Sequence, residues 1–246
     1  MVLNRVRRAL RDVGATFASS DVRVLCHHEV RSRARFHAQI SVLLERDYTV
    51  IAMEEFIGWA RAGRPIRSPA VVLTFDGCYR SQLENAVPVL EALNLPATFF
   101  PTSAGLDDAE ISDRDLIALA ARGHTIGCHT HTHPDLTTLP PHELEGEIAG
   151  SKRVLEAILG GPVTAFCYPY GARNARVADE VRRAGFQVAF TVDLGGVSAG
   201  TDPYELPRIT ILGEPGAAEF AAFIGGARLV SGGILVGWKI RERLLD

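Results

Sequence analysis

Between Asp21 and Leu212 the chain alternates short β-branched apolar runs with helical runs of ten or so residues. Few folds satisfy that rhythm, because each strand must pair parallel to another through a right-handed helical crossover. Asp21–Cys26, Tyr48–Ile51, Ala70–Phe75, Leu95–Phe100, His124–Cys128, Val163–Cys167, 187–192 and Arg208–Leu212 read as strands. Helical spacing marks 3–13, Phe36–Arg46, Glu54–Ala62, 82–93, Asp113–Arg122, 142–159, 174–184 and a closing amphipathic segment at 234–245. Ser112 is the expected cap of the helix that starts at Asp113, and Gly123 its C′ residue. Repeated units of this kind suit an α/β barrel better than a small open sheet.

The stretch AVVLTFDGCYR, Ala70–Arg80, sets where chemistry would lie. Its buried strand stops at an acidic residue and a glycine, which delivers the Asp76 carboxylate to the carboxyl edge of a parallel sheet. Later segments repeat the pattern of an apolar strand ending in His, Cys or Tyr. His129-Thr130-His131-Thr132-His133 follows one strand; His129 and His133, at i and i+4, can share a metal while His131 points elsewhere. Tyr168-Pro169-Tyr170-Gly171 follows another, and the proline can aim the Tyr170 N–H into the site as an oxyanion donor or simply pack an aromatic turn at the barrel mouth.

A net charge of −3 and a pI near 6.2 leave no electrostatic footprint for nucleic acid. Arg5, Arg7, Arg8 and Arg11 read as the solvated face of the first helix. The stretch MVLNRVRRALRDVGATFASS lacks the apolar core of a secretory signal, and no run is long enough to span a bilayer, so a cytoplasmic enzyme with no membrane partner is the expectation. In that compartment Cys26, Cys78, Cys128 and Cys167 are expected to be reduced.

Taken together, VVLTFDGCYRSQLENAVPVLEALNLPATFF, IGCHTHTHPDL and FCYPYG, in that order, resemble the signature of the polysaccharide deacetylase family, the NodB-homology domain. VLCHHEV upstream and LPRI (Leu206–Ile209) downstream resemble its poly-N-acetylglucosamine deacetylase branch. The resemblance spans roughly 22–212, the core of what reads as a single domain over 1–246. It implies a distorted (β/α) barrel and metal-dependent removal of N-acetyl groups from amino sugars, a hydrolase of carbohydrate metabolism acting on a non-peptide C–N bond. Carried over residue by residue, it makes Asp76 the base that activates water and His129 and His133 metal ligands. Tyr170 supplies the oxyanion N–H, His28 protonates the leaving amine, and Arg208 orients the carboxylate.

One position departs from the pattern. The family reads Thr-Phe-Asp-Asp-Gly, and its second aspartate, the third metal ligand, falls on Gly77. The Cys78 thiolate could replace it in a Cys-His-His site that would favour zinc among divalent metals. Asp76 could itself bind metal, leaving water activation to Glu29 or another group. Cys78 could act as the nucleophile of a metal-free hydrolase or lyase, or the scaffold could bind ligand without turnover. The four thiols could also converge on one metal, or serve as small apolar fillers of the barrel top. The substrate expected of a cytoplasmic enzyme is a small N-acylated, amino-sugar-containing molecule; the oligomeric state is not legible.

Overall fold

The computed structural model describes residues 22–106 and 111–225, so the helix expected at 3–13 and the segment 234–245 lie outside the described residues. In chain order its elements are β1 (Arg23–His27), α1 (Arg33–Glu45), β2 (Thr49–Val50), α2 (Met53–Ala62) and β3 (Ala70–Asp76). A π-helical turn at Gln82–Ala86 then leads into α3 (Val87–Ala92), followed by β4 (Thr98–Phe100), α4 (Asp113–Ala121) and β5 (Thr125–Ile126). α5 (Pro141–Glu145) and α6 (Ser151–Leu159) flank a second π-helical turn, and β6 (Ala165–Cys167), α7 (Ala175–Arg183), β7 (Val188–Leu194), β8 (Leu206–Thr210) and α8 (Ala217–Ile224) complete the series.

Local chemistry sets the helix starts. Ser112 and Asp115 form a reciprocal capping box on α4, Asn174 accepts from Val177 N at 3.0 Å on α7, and Ser32 accepts from Arg35 N on α1. The expected helix at 142–159 is broken by the π-helical turn Gly146–Gly150, where two glycines lower the preference for regular helix. α8 has no counterpart among the sequence expectations; its signal was Pro215-Gly216 ahead of an apolar run.

The sheet runs β5-β4-β3-β1-β8-β7-β6, all parallel, with β2 added beside β3. A parallel bridge between Cys128 and Phe166 joins the two ends through Cys128 N→Ala165 O (3.0 Å) and Cys167 N→Cys128 O (2.9 Å). The result is the distorted (β/α) barrel, closed by a seam narrower than any of its long strand pairs.

Strand parity sorts the side chains between two apolar layers. Leu25, Leu73, Phe75, Phe166 and Ile209 pack on the helices, whereas Val24, Val72, Ala165, Val188 and Leu206 belong to a second cluster inside the barrel. Counting by twos from that inner set brings Cys26, Thr74, Asp76, Cys167 and Arg208 inward. Among the described residues no helix is long and apolar enough to cross a membrane.

Candidate active site

Asp76 closes β3 at the carboxyl edge and is 2 % exposed. Arg208, wholly buried on β8, donates Nη1 to its Oδ1 at 2.8 Å and Nη2 to its Oδ2 at 2.7 Å. Both neighbouring thiols, Cys26 on β1 and Cys167 on β6, also donate to Oδ2, each at 3.3 Å. Burial alone would raise the Asp76 pKa, but the Arg208 charge and its hydrogen bonds, with smaller help from His129 and His28, hold it well below the ordinary carboxylate range. The other guanidinium hydrogens reach Thr191 O (2.8 Å), Thr74 Oγ1 (3.2 Å) and Cys167 Sγ (2.9 Å), so all five N–H groups of Arg208 are used.

The loops that leave the strands carry the histidines. His129 Nδ1 donates to Cys167 O at 2.9 Å, which fixes the tautomer and turns Nε2 toward His133 Nε2, 3.0 Å away. Burial lowers the His129 pKa to about 4 and lowers that of His133, so both imidazoles are neutral at pH 7. His131 turns away, as expected, and shares a hydrogen bond with Ser103 Oγ. His28, not His27, faces the site: its ring lies within 4.8 Å of the Asp76 carboxylate and the Cys26 thiol at the exposed mouth. Desolvation lowers the His28 pKa, opposed by Asp76 and helped by Arg208. Tyr170 stands at the rim with its ring 4.7 Å from that of His133.

Backbone strain gathers in the same loops. Cys78 (φ 50°), Thr130 (φ 71°), His133 (φ 65°) and Tyr170 (φ 57°) all lie in the left-handed region, which side-chain-bearing residues enter at a cost of the order of 1 kcal/mol or more. Gly171 (φ 66°) is required by contact as well, since a Cβ there would lie 2.8 Å from the Val192 backbone nitrogen. That close approach seats the Tyr170 turn against β7.

Three expectations need correction. Cys78 is not brought to the histidines: it is 5 % exposed within the main apolar cluster, belongs to neither group of close metal-binding donors, and burial next to the Asp76 charge pushes its thiol pKa up. Its place in the apolar cluster, apart from the close donors, removes it as a co-ligand of the histidines, and the raised pKa disfavours it as a nucleophile. The four thiols do not converge either, because parity sends Cys128 outward to Ser151 Oγ (3.0 Å) while Cys26 and Cys167 point inward. Glu29 is no substitute base, since it is exposed and ion-paired with Arg31. Sequence reasoning missed Gln82, whose Nε2 ties His28 O (2.8 Å) to Asp76 O (3.0 Å); a glutamine at a helix start just after β3 was the signal.

The donor chemistry suits a divalent cation on His129 and His133. Two Zn–N bonds of about 2.1 Å at the tetrahedral angle would separate the nitrogens by about 3.4 Å, so the two Nε2 atoms, 3.0 Å apart, need open by only a few tenths of an ångström to share one ion. Asp76 belongs with His129 and Cys167 to a group of donor atoms within 4.8 Å of one another, so its carboxylate stands close enough to act on a cation or water held by the histidines.

The sequence profile of the family described as polysaccharide deacetylase matches residues 63–189, more than half of the chain. A poly-β-1,6-N-acetyl-D-glucosamine N-deacetylase of Staphylococcus aureus is 25 % identical over 197 residues, covering 73 % of this chain and 67 % of that protein. The Streptococcus pyogenes deacetylase PplD, solved in complex with acetate, superposes with a TM-score of 0.76 at 22 % identity, over 82 % of this chain and 97 % of that one. IcaB from Ammonifex degensii does so with a TM-score of 0.76 at 22 % identity, over 87 % of this chain and all of that one (100 %). The barrel expected from the sequence is thus the barrel of known deacetylases.

Proposed function

We propose, since the chain belongs to the polysaccharide deacetylase family, that Asp76, His28, His129, His133 and Tyr170 together remove the acetyl group from an N-acetylated amino-sugar unit. The chain is a hydrolase of a non-peptide carbon–nitrogen bond, and the family generally uses a divalent metal. The observation that carries the assignment of roles is the buried Asp76 carboxylate, held ionised by Arg208 between His28 and the His129 pair.

A divalent cation, when bound on His129 and His133, supplies Lewis acidity toward the amide oxygen and toward a water molecule. The carboxylate of Asp76 takes the proton of the attacking water. Oδ2 already accepts from Arg208, Cys26 and Cys167, whereas Oδ1 accepts from Arg208 alone, so Oδ1 is the oxygen with room for that proton. The new C–O bond leaves negative charge on the former carbonyl oxygen, which the Tyr170 N–H receives. When the C–N bond breaks, His28 gives a proton to the departing nitrogen; its closeness to Asp76 lets the proton taken from water pass to the ring.

The test is acetate release from N-acetylglucosamine and its oligomers by wild type and Asp76→Asn. Asp76→Asn should lose about 10²–10⁴-fold in turnover, the range of a general base, with an unchanged circular dichroism spectrum. A variant with full turnover would remove Asp76 from the chemistry. The ratio of rates on monosaccharide and oligomer tells whether the natural substrate is small or polymeric.

A further inference from the structure

We propose that Glu147 is a positioning residue, which sets the place of the His133 imidazole relative to His129 by gathering the backbone of the loop that joins them. This rests on the reading that a cation sits on His129 and His133. The stretch His129-Thr130-His131-Thr132-His133 adopts no helix, and Thr130 (φ 71°) and His133 (φ 65°) both take left-handed backbone, so helical hydrogen bonds do not hold it. Its two middle N–H groups converge instead on one carboxylate oxygen. His131 N and Thr132 N each donate to Glu147 Oε2 at 2.8 Å, and Thr132 Oγ1 donates to Oε1 at 2.6 Å. Successive backbone N–H groups form a concavity suited to an anion, and here the chain itself provides the anion. Both oxygens of Glu147 are thus engaged by the residues that lie between the two imidazoles.

The carboxylate comes from a fixed base. Glu147 lies in the π-helical turn Gly146–Gly150, and the neighbouring Ile148 is buried in the main apolar cluster. Ser151 Oγ donates to Glu147 O at 2.7 Å and lies 3.0 Å from Cys128 Sγ, one residue before His129, so the turn is pinned where the loop begins. The backbone after β4 carries the loop as well, through Ser103 N→Thr130 O (3.0 Å) and Ala104 N→His131 O (2.9 Å).

The two histidines depend on these supports differently. His129 is oriented through its own ring by Cys167 O. The place of His133 follows the course of the loop, including its N–H bond to Thr130 Oγ1 at 2.9 Å. Glu147 belongs to neither group of close metal-binding donors, so its effect reaches the pair through the backbone of His131 and Thr132.

The experiment titrates chelator-stripped, full-length protein with Co²⁺, following visible absorption, and measures amide exchange in the metal-free protein by NMR. Wild type should take up one cobalt per chain. Glu147→Ala should bind about 10–100-fold more weakly, the range for partners that orient metal ligands, with faster exchange at His131 and Thr132. Glu147→Asp keeps the charge but falls one methylene short of the loop, and should bind as weakly, which preserves the test if the alanine variant does not fold. Glu147→Gln keeps an oxygen for the two N–H groups and can donate to the Thr132 hydroxyl, so it should recover most of the affinity. The opposite order, with Glu147→Asp like wild type and Glu147→Gln weak, would mean that only the charge is felt and would overturn the positioning role. Wild-type affinity in both Glu147→Ala and Glu147→Asp would overturn it too, while the loss of cobalt in His133→Ala left the histidine pair standing. If wild type takes up no cobalt, or His133→Ala binds it as wild type does, the cation reading fails and this inference with it.

Discussion

Replacing Arg208 by methionine isolates the energetic core of the site. Methionine fills much of the guanidinium's volume without any donor, so Arg208→Met strips one hydrogen bond from each oxygen of a buried carboxylate and leaves Thr191 O and Thr74 Oγ1 unpaired by it. Removing one partner of a buried ion pair destabilises by about 3–5 kcal/mol, a large share of the 5–15 kcal/mol that holds a domain folded. The two thiols still donate to Oδ2, which places the expected loss toward the lower end, about 3–4 kcal/mol. Urea unfolding followed by circular dichroism measures it. The double variant Asp76→Asn/Arg208→Met, with no buried charge left, should recover part of the loss, giving a coupling of about 2 kcal/mol.

The pH dependence carries the sign of the effect. In wild type the folded-state pKa of Asp76 is depressed, so its stabilisation is complete above the ordinary carboxylate pKa and is lost only as pH falls from there toward the lower folded-state value. Without Arg208, burial outweighs the remaining donors and raises that pKa, so the penalty exists above it and disappears on acidification. The stability gap between wild type and Arg208→Met should therefore narrow from pH 7 to pH 4. A loss below about 1 kcal/mol, or a gap that does not change with pH, would refute the claim that this pair is sealed from water.

Two further outcomes follow from the same neighbourhood. Cys26→Ala/Cys167→Ala removes two donors to the ionised form of Asp76, so the acid limb of the activity profile should move to higher pH, with serine at both positions restoring it; kcat/KM against pH reads this out. His27 is buried, stacked on Phe75 and edge-on to Phe36 with no partner for Nε2, and burial lowers its pKa to about 3. Its contribution is complete above about pH 6.5 and falls by about 1.4 kcal/mol per unit below that, so His27→Phe should flatten the acid-side loss of stability, and an unchanged slope in urea titrations from pH 7 to pH 5 would exclude it.

Most of the barrel was legible because strands and helices alternate with sharp punctuation, as at Ser112 and Gly123. Asp76, His129 and His133 were legible because polar residues that end apolar strands have little structural reason to be there. The partners of Asp76 were less so: that Cys26 and Cys167 face inward while Cys128 faces outward depends on strand parity, which becomes countable only once each strand's register is known.

The seam at Cys128 and Phe166 divides the site's fate in two. On one side, β3, β1 and β8 are contiguous and lock Asp76 to Arg208 in the interior. Across the junction itself stand His129 and Tyr170, held in register by two backbone hydrogen bonds and by the His129 Nδ1 bond to Cys167 O. A local opening there would part the imidazoles from the Tyr170 turn while the ion pair and the rest of the sheet stayed intact. Activity would then fail before the fold does, and amide exchange at Cys128 and Cys167 would be faster than at Leu73 and Phe75.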